Sequence, residues 1–162
     1  MKKTLLGVFV VVIFAAGIFL LAGCATTGGV TSVTATDLAD AKAMGQRFVD
    51  AMSRKDLDAA MSCFWKSPDL VLVLWGNTVR GYDGVRAGIA QMFDQNDSVK
   101  LVVNEISHVP IGDMIMAVGT ATYDLQPKSG PSQRIVERWT DMERKIDGRW
   151  VYVLDHATIV PK

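Results

Sequence analysis

Residues 132–160 read SQRIVERWTDMERKIDGRWVYVLDHATIV and contain two strand-length runs, at 132–145 and 149–160. The pair Asp147-Gly148 separates them, and an Asp-Gly pair between two such runs is typical of a tight β-hairpin turn. This stretch therefore predicts a hairpin of two long antiparallel strands at the end of the chain.

The rest of the chain extends this pattern toward the N-terminus. Apolar residues recur at steps of three and four along 38–53, which predicts an amphipathic helix with Asp37 as its N-cap. The other predicted elements are helices at 57–64 and 82–93 and strands at 70–75, 98–109 and 114–126. Long strands joined by short turns, with helices gathered toward the N-terminal end, predict an α+β domain with an antiparallel sheet.

Three local motifs give this order of elements a resemblance to a known superfamily. They are FVDA at 48–51, GYDGVR at 81–86, and the closing strand, in which Trp150 is followed six residues later by His156. The region 38–160 resembles the nuclear transport factor 2-like superfamily, which includes SnoaL-like, polyketide-cyclase-like and ketosteroid-isomerase-like proteins. The resemblance implies a cone-shaped fold, with a curved antiparallel sheet packed on three N-terminal helices around an open pocket. It also implies a homodimer formed through the exposed sheet face.

The N-terminus predicts export and lipid anchoring. A positive head at Lys2-Lys3 precedes an uncharged apolar run that ends in Leu21-Ala22-Gly23-Cys24. Small residues before a cysteine at this place resemble the lipobox of bacterial lipoproteins, which implies a signal peptide at 1–23 and a lipid on Cys24. A retained membrane-spanning helix is the alternative. Ala25 is not the aspartate linked to inner-membrane retention, so the outer membrane, facing the periplasm, is expected in a Gram-negative source.

Composition restricts the domain organisation and the partners. Removal of 1–23 deletes two lysines and no acids, leaving 15 basic and 17 acidic residues. This near-neutral balance gives no electrostatic reason to expect nucleic-acid binding. Residues 24–36 are small and polar and predict a flexible tether, and 37–162 fit one domain.

The remaining cysteine and the two histidines give no sign of a metal centre or cofactor. Cys63 lies among apolar residues and is predicted to be a buried, unreactive thiol. His108 lies near Pro110 at a predicted strand end and is expected to be solvated. Two histidines without clustered cysteine or carboxylate ligands do not form a metal motif.

The last strand supplies the main candidate for chemistry. Side chains alternate between the two faces of a strand, so Trp150 and His156 are predicted to share one face, and Asp155 to point away from His156. An inward His156 could donate to a ligand or move a proton; alternatively, it is held by structural hydrogen bonds. In the preceding strand either Arg138 or Trp139 faces inward, and an inward Arg138 would bind an anionic group.

Aromatic residues are expected to form the remaining walls of the pocket. The predicted wall residues are Trp65, Trp75, Tyr123 and Tyr152, with Asp69 near the rim. The set used by ketosteroid isomerase, a carboxylate base beside a tyrosine and a protonated acid, is not found. Helix 38–53 has no tyrosine, and 114–123 offers no acid mid-strand.

Three classes of function follow from these expectations. The favoured one is a non-catalytic, lipid-anchored envelope protein that binds a small amphipathic ligand or an envelope partner in its pocket. The second is a polyketide-cyclase or isomerase type of enzyme that uses His156. The third is a structural oligomerisation module.

Overall fold

The computed structural model describes residues 32–161. The predicted signal peptide, the lipidation site at Cys24 and most of the predicted tether lie outside these described residues. Within 32–161, no helix combines the length and apolar character that a membrane crossing requires.

The first helix, α1, spans Ala35–Arg54 and begins slightly before the predicted boundary at 37. The prediction that Asp37 is its N-cap is wrong. Thr34 is the N-cap: its hydroxyl oxygen accepts from the Asp37 backbone N–H at 3.1 Å, and the Asp37 carboxylate accepts from the Thr34 N–H at 3.1 Å. This reciprocal capping box satisfies two N–H groups that a bare helix end would leave unpaired.

Two shorter helices follow the predicted order. Lys55 adopts a left-handed conformation (φ 55°) that ends α1, and the Asp56 side chain then caps α2, Leu57–Met61. The third helix, α3, spans Tyr82–Gln95. The predicted second helix at 57–64 is therefore too long.

Six strands form one sheet in the order β2-β1-β6-β5-β4-β3. Their bounds are β1 Val71–Leu74, β2 Asn77–Arg80, β3 Asn96–Ile111, β4 Met114–Pro127, β5 Gln133–Ile146 and β6 Arg149–Ile159. All neighbours are antiparallel except β1 and β6, which pair in parallel. The α+β prediction is confirmed. The sequence reading missed β2, because it treated Gly76-Asn77 as a turn and assigned no strand to the four residues that follow.

A β-bulge in β6 decides which side chains of that strand face α1. Met142 pairs with Leu154, but Glu143 pairs with Tyr152, so Val153 is an extra residue without a partner in β5. An extra residue reverses the alternation of side chains beyond it.

A second bulge bends β3 at Asn104. Beyond it the inward-facing positions change from odd to even numbers, so Val103 and His108 both face the helix side. Gly119 of β4 lies opposite this bend, where a Cβ atom would collide with the Glu105 carbonyl oxygen. Glycine at this position thus permits the close approach of β3 and β4.

The core lies between α1 and the inner face of the sheet. Met44 and Met52 of α1 are buried there. Trp150 is also buried, as predicted for the face that opens β6. Cys63 is buried as predicted, and burial raises the pKa of its thiol.

Candidate functional site

A cavity of about 530 Å³ separates α1 from the inner face of the sheet. Its entrance lies between α1 and β3, where Lys42, Gln46 and Ser107 line it and are exposed to solvent. Its far wall is formed by β5 and β6. Cavities of this volume accommodate small-molecule ligands.

The far wall carries three carboxyl groups. The inward-facing residues of β5 include Glu137 and Asp141, and Asp155 faces the cavity from β6. Glu137 and Asp141 are buried, and Asp155 is partly buried. Carboxylates are rarely buried without a positively charged partner, yet the described part of the chain pairs none of the three with a lysine or arginine.

Asp141 and Asp155 are directly paired across β5 and β6. Residues opposite each other on one face of a sheet have Cβ atoms about 4.5–5.5 Å apart, so the two carboxyl groups interact. Burial raises the pKa of Asp141 well above its ordinary range, and the neighbouring charge of Asp155 raises it further. Burial raises the pKa of Asp155 to about 6, although its interaction with Asp141 and the nearby charge of His156 oppose the increase. Because ionising both would place two negative charges side by side in a buried site, the pair holds one proton to a higher pH than exposed aspartates do.

Glu137 lies beside two aromatic residues. Its carboxylate accepts a 2.6 Å hydrogen bond from the Trp75 indole N–H, and the Trp75 ring meets Tyr123 edge to face at 5.5 Å. Burial raises the pKa of Glu137 to about 7, opposed by the Trp75 hydrogen bond and reinforced by the charge of Asp155. Burial, and then the neighbouring acids, raises the pKa of Tyr123 well above 10, so its hydroxyl remains a neutral donor.

His108 belongs to the cavity and not to a solvated strand end. It lies within β3, is partly buried and lines the cavity near Lys42. Burial, followed by the charge of Lys42, lowers its pKa. The prediction of a solvated loop histidine is wrong because β3 continues through Pro110 to Ile111.

The structure brings together only part of the predicted site. Tyr123 and Tyr152 line the cavity. Trp75 does not line it but donates a hydrogen bond to Glu137, which does. Trp65 does not line it, and Asp69 is exposed away from it.

The two polar candidates for the pocket, His156 and Arg138, do not line it, for two different reasons. Both side chains are exposed, and neither lines the cavity. His156 points outward because the bulge at Val153 reverses the alternation after Tyr152. Arg138 points outward because Trp139 takes the inward position, which was the alternative left open by the sequence.

The acids of the far wall were missed because they lie among other charges. The many charged residues of β5 suggest a solvated surface. Glu137 and Asp141 are nevertheless each two residues from Trp139, so all three side chains lie on the same face of the strand. Placing Trp139 inward would have placed both acids inward with it. No comparable signal exists for Asp155, because the apolar run before it conceals the bulge. Within 32–161 no cluster of histidine, cysteine and carboxylate side chains is arranged to hold a metal ion.

Comparison with known proteins identifies the domain. A family model described as the SnoaL-like domain matches residues 46–153. A search of curated proteins found no match. Among solved structures, a nuclear transport factor 2-like superfamily protein from Salmonella enterica is similar with a TM-score of 0.72 and 16% identity, over 79% of this chain and 95% of that one.

Two further solved structures are similar over most of the domain. A proposed scytalone dehydratase from Novosphingobium aromaticivorans has a TM-score of 0.71 and 10% identity, over 78% of this chain and 85% of that one. A proposed dehydratase of the nuclear transport factor 2-like family from Streptomyces avermitilis has a TM-score of 0.67 and 19% identity, over 78% and 98%. At these identities the comparisons establish the fold, and they confirm the predicted nuclear transport factor 2-like architecture.

Proposed function

Because this chain belongs to the family of SnoaL-like domains, we propose that its cavity is a general acid–base site. In this proposal, acidic residues of the cavity move a proton between atoms of a small ligand, which has an uncharged carbonyl group on an apolar body. The reaction is an isomerisation or a dehydration. The proposal goes beyond the non-catalytic binding favoured by the sequence, and it replaces His156 with the acids of β5 and β6. It uses a carboxylate base beside a tyrosine and a protonated acid, a set that the sequence analysis did not find; Tyr123, Asp141 and Asp155, which line one cavity, support it.

The observation that carries the proposal is the paired Asp141 and Asp155 facing the cavity. Environments that push the pKa values of two neighbouring acids apart create one proton donor and one base near neutral pH. Burying acids without cationic partners costs stability. A cavity used only to bind an apolar ligand would gain nothing from this cost, whereas proton transfer requires such groups.

The geometry supports a division of roles. The Asp155 carboxylate removes a proton from the carbon next to a ligand carbonyl, and the C–H electrons form a C=C bond while the carbonyl π electrons move to oxygen. Protonated Asp141 and the Tyr123 hydroxyl donate hydrogen bonds to that oxygen, where negative charge develops. Returning the proton to a conjugated carbon completes an isomerisation. Expelling a β-hydroxyl as water, with a proton from Glu137, completes a dehydration.

The test is solvent-deuterium exchange into the α-carbon of phenylacetone, followed by proton NMR with the full-length protein in a non-ionic detergent. General acid–base groups typically contribute a factor of about 10²–10⁴, so Asp155→Asn should slow the catalysed exchange by about 100-fold or more. Asp147→Asn, in the exposed turn before β6, is the matched control and should exchange like the parent.

Two outcomes would contradict the proposal. One is parental exchange in Asp155→Asn. The other is exchange by the parent that does not exceed the buffer rate. Thermal stabilisation by the ketone without exchange would favour the non-catalytic binding function.

We also propose that Cys24 carries a lipid that anchors the domain to the envelope, in the outer membrane if the source is Gram-negative. The support is the Leu21-Ala22-Gly23-Cys24 motif after an apolar run. Mass spectrometry of the protein made in a bacterial host should find a diacylglyceryl-modified Cys24 at the new N-terminus. An unmodified Cys24 or cleavage elsewhere contradicts the anchor, and Cys24→Ser should accumulate as precursor.

A homodimer through the outer face of the sheet is a further proposal. Val102, Val109 and Val136 are exposed on strands of that face, and clustered exposed apolar residues often mark contact surfaces. Light scattering should give twice the monomer mass for the parent and the monomer mass for Val136→Glu. A monomeric parent contradicts the dimer.

A further inference from the structure

The entrance of the cavity has the opposite electrostatic character to its far wall. Lys42 lines the entrance from α1, and His108 lines it from β3. Within 32–161, Lys42 forms no ion pair with a carboxylate. The charge of Lys42 acts on His108, since it contributes to the lowered pKa of that imidazole.

We propose that Lys42 and His108 bind the carboxylate of the ligand, whose uncharged carbonyl reaches Asp141 and Asp155. The ligand class is then a keto acid with a flat apolar body. This inference rests on the proposed function for the carbonyl at the buried end of the ligand. The evidence for a carboxylate at the other end is the position of Lys42 and His108 at the entrance.

The sheet register sets the distance between the two ends. His108 pairs with Ala117, Ala117 with Asp141, and Asp141 with Asp155, so these residues form one row across four strands. Neighbouring strands lie about 4.7–4.9 Å apart, which separates the backbones at His108 and Asp141 by roughly 10 Å. His108 and Asp141 both line the same cavity. A ligand of a few bonds' length in this cavity can therefore contact both ends.

The charges favour an anion at the entrance over an anion at the far wall. A carboxylate beside Asp155 would be repelled, whereas one near Lys42 gains a charge-assisted contact and accepts a hydrogen bond from the His108 ring. Phe48 and Trp139 line the cavity and supply apolar walls for the ligand body. The opposite orientation, with the carboxylate inward, would bury an anion among acids.

The experiment compares two probes that differ only in the charged end. Binding of β-benzoylpropionate and of its primary amide is measured by isothermal titration calorimetry with the full-length protein in a non-ionic detergent. The parent should bind the carboxylate about ten-fold more tightly than the amide. Lys42→Gln, which keeps a good helix former on α1, should remove most of this preference without changing amide binding. Lys66→Gln, at an exposed lysine outside the cavity, should retain it.

Additional variants separate this inference from the proposed proton transfer. His108→Gln should change the carboxylate preference by no more than a few-fold, because its amide still donates a hydrogen bond in place of the imidazole. Asp155→Asn, which should slow deuterium exchange by about 100-fold or more, should still bind the carboxylate more tightly than the amide. A preference that survives in Lys42→Gln overturns the inference, as does equal binding of both probes or no binding of either by the parent. Deuterium exchange into phenylacetone would be unaffected in those cases, because phenylacetone has no anionic end.

Discussion

Replacing Glu143 by glutamine should change the pH dependence of stability in a defined direction. Glu143 is 1% exposed in β5, and its Oε2 atom has no hydrogen-bond partner within the described residues. Burial raises the pKa of this carboxyl from 4.5 to about 8. The folded protein therefore holds a proton that the unfolded chain releases near pH 4.5.

The sign and magnitude follow from this difference. Between about pH 4.5 and 8 the folded state binds more protons than the unfolded state, so the free energy of unfolding falls as pH rises through this range. Each unit of pKa difference corresponds to about 1.4 kcal/mol, which gives a loss of roughly 3–5 kcal/mol from Glu143 alone. Glutamine fills nearly the same volume and does not ionise.

The assay is urea unfolding of the parent and Glu143→Gln at pH 5 and pH 9. Near pH 5 the two proteins should differ by about 1 kcal/mol or less, the scale of one changed hydrogen bond. At pH 9 the variant should be more stable by roughly 3–5 kcal/mol. Glu105→Gln, at an exposed glutamate, is the control and should follow the parent at both pH values. Equal pH dependence in the parent and Glu143→Gln would contradict the raised pKa of Glu143.

Five other substitutions test the architecture and the position of the site. Gly119→Ala should lower the free energy of unfolding by about 1–3 kcal/mol, since the added methyl group collides with the β3 backbone. Gly88→Ala, in open space on α3, should raise it by about 0.5–1 kcal/mol in the same urea assay. Trp150→Ala should cost about 3–5 kcal/mol by loss of buried volume, with a correspondingly large fall in melting temperature, whereas a shift of a degree or two would mean that Trp150 is not packed in the core. Arg138→Ala and His156→Ala should leave ketone exchange within two-fold of the parent, and a ten-fold loss in either would show that the outer face takes part in the reaction.

The sequence predicted the fold well because the fold depends on periodicity and turns. The helical repeat that predicts 38–53 and the Asp147-Gly148 turn are local signals that survive in α1 and in the β5–β6 hairpin. The short strand β2 gave no such signal, since its four residues have neither length nor an apolar run.

The site was predicted poorly because its orientation depends on single-residue interruptions of the sheet. An unbroken alternation places His156 inward and Asp155 outward, and the bulge at Val153 exchanges them. The bulge lies in the continuous apolar run VYVL at 151–154, where neither face of the strand is distinguished by polarity. In β5 the choice of Arg138 or Trp139 as the inward residue also decides whether Glu137 and Asp141 face inward. The many charged residues of this strand suggested instead that these acids are solvated.

The central claim, that Asp141, Asp155 and Glu137 face the cavity as a coupled acid cluster, can be tested by carbon-13 NMR titration of the labelled side-chain carboxyl carbons. Asp155 and Glu137 should titrate near pH 6 and 7, and the pKa of Asp141 should lie well above that of an exposed aspartate. Asp141→Asn should alter the titration of Asp155 while leaving exposed Asp147 unchanged. Titration of all three carboxyls below pH 5 would contradict the claim.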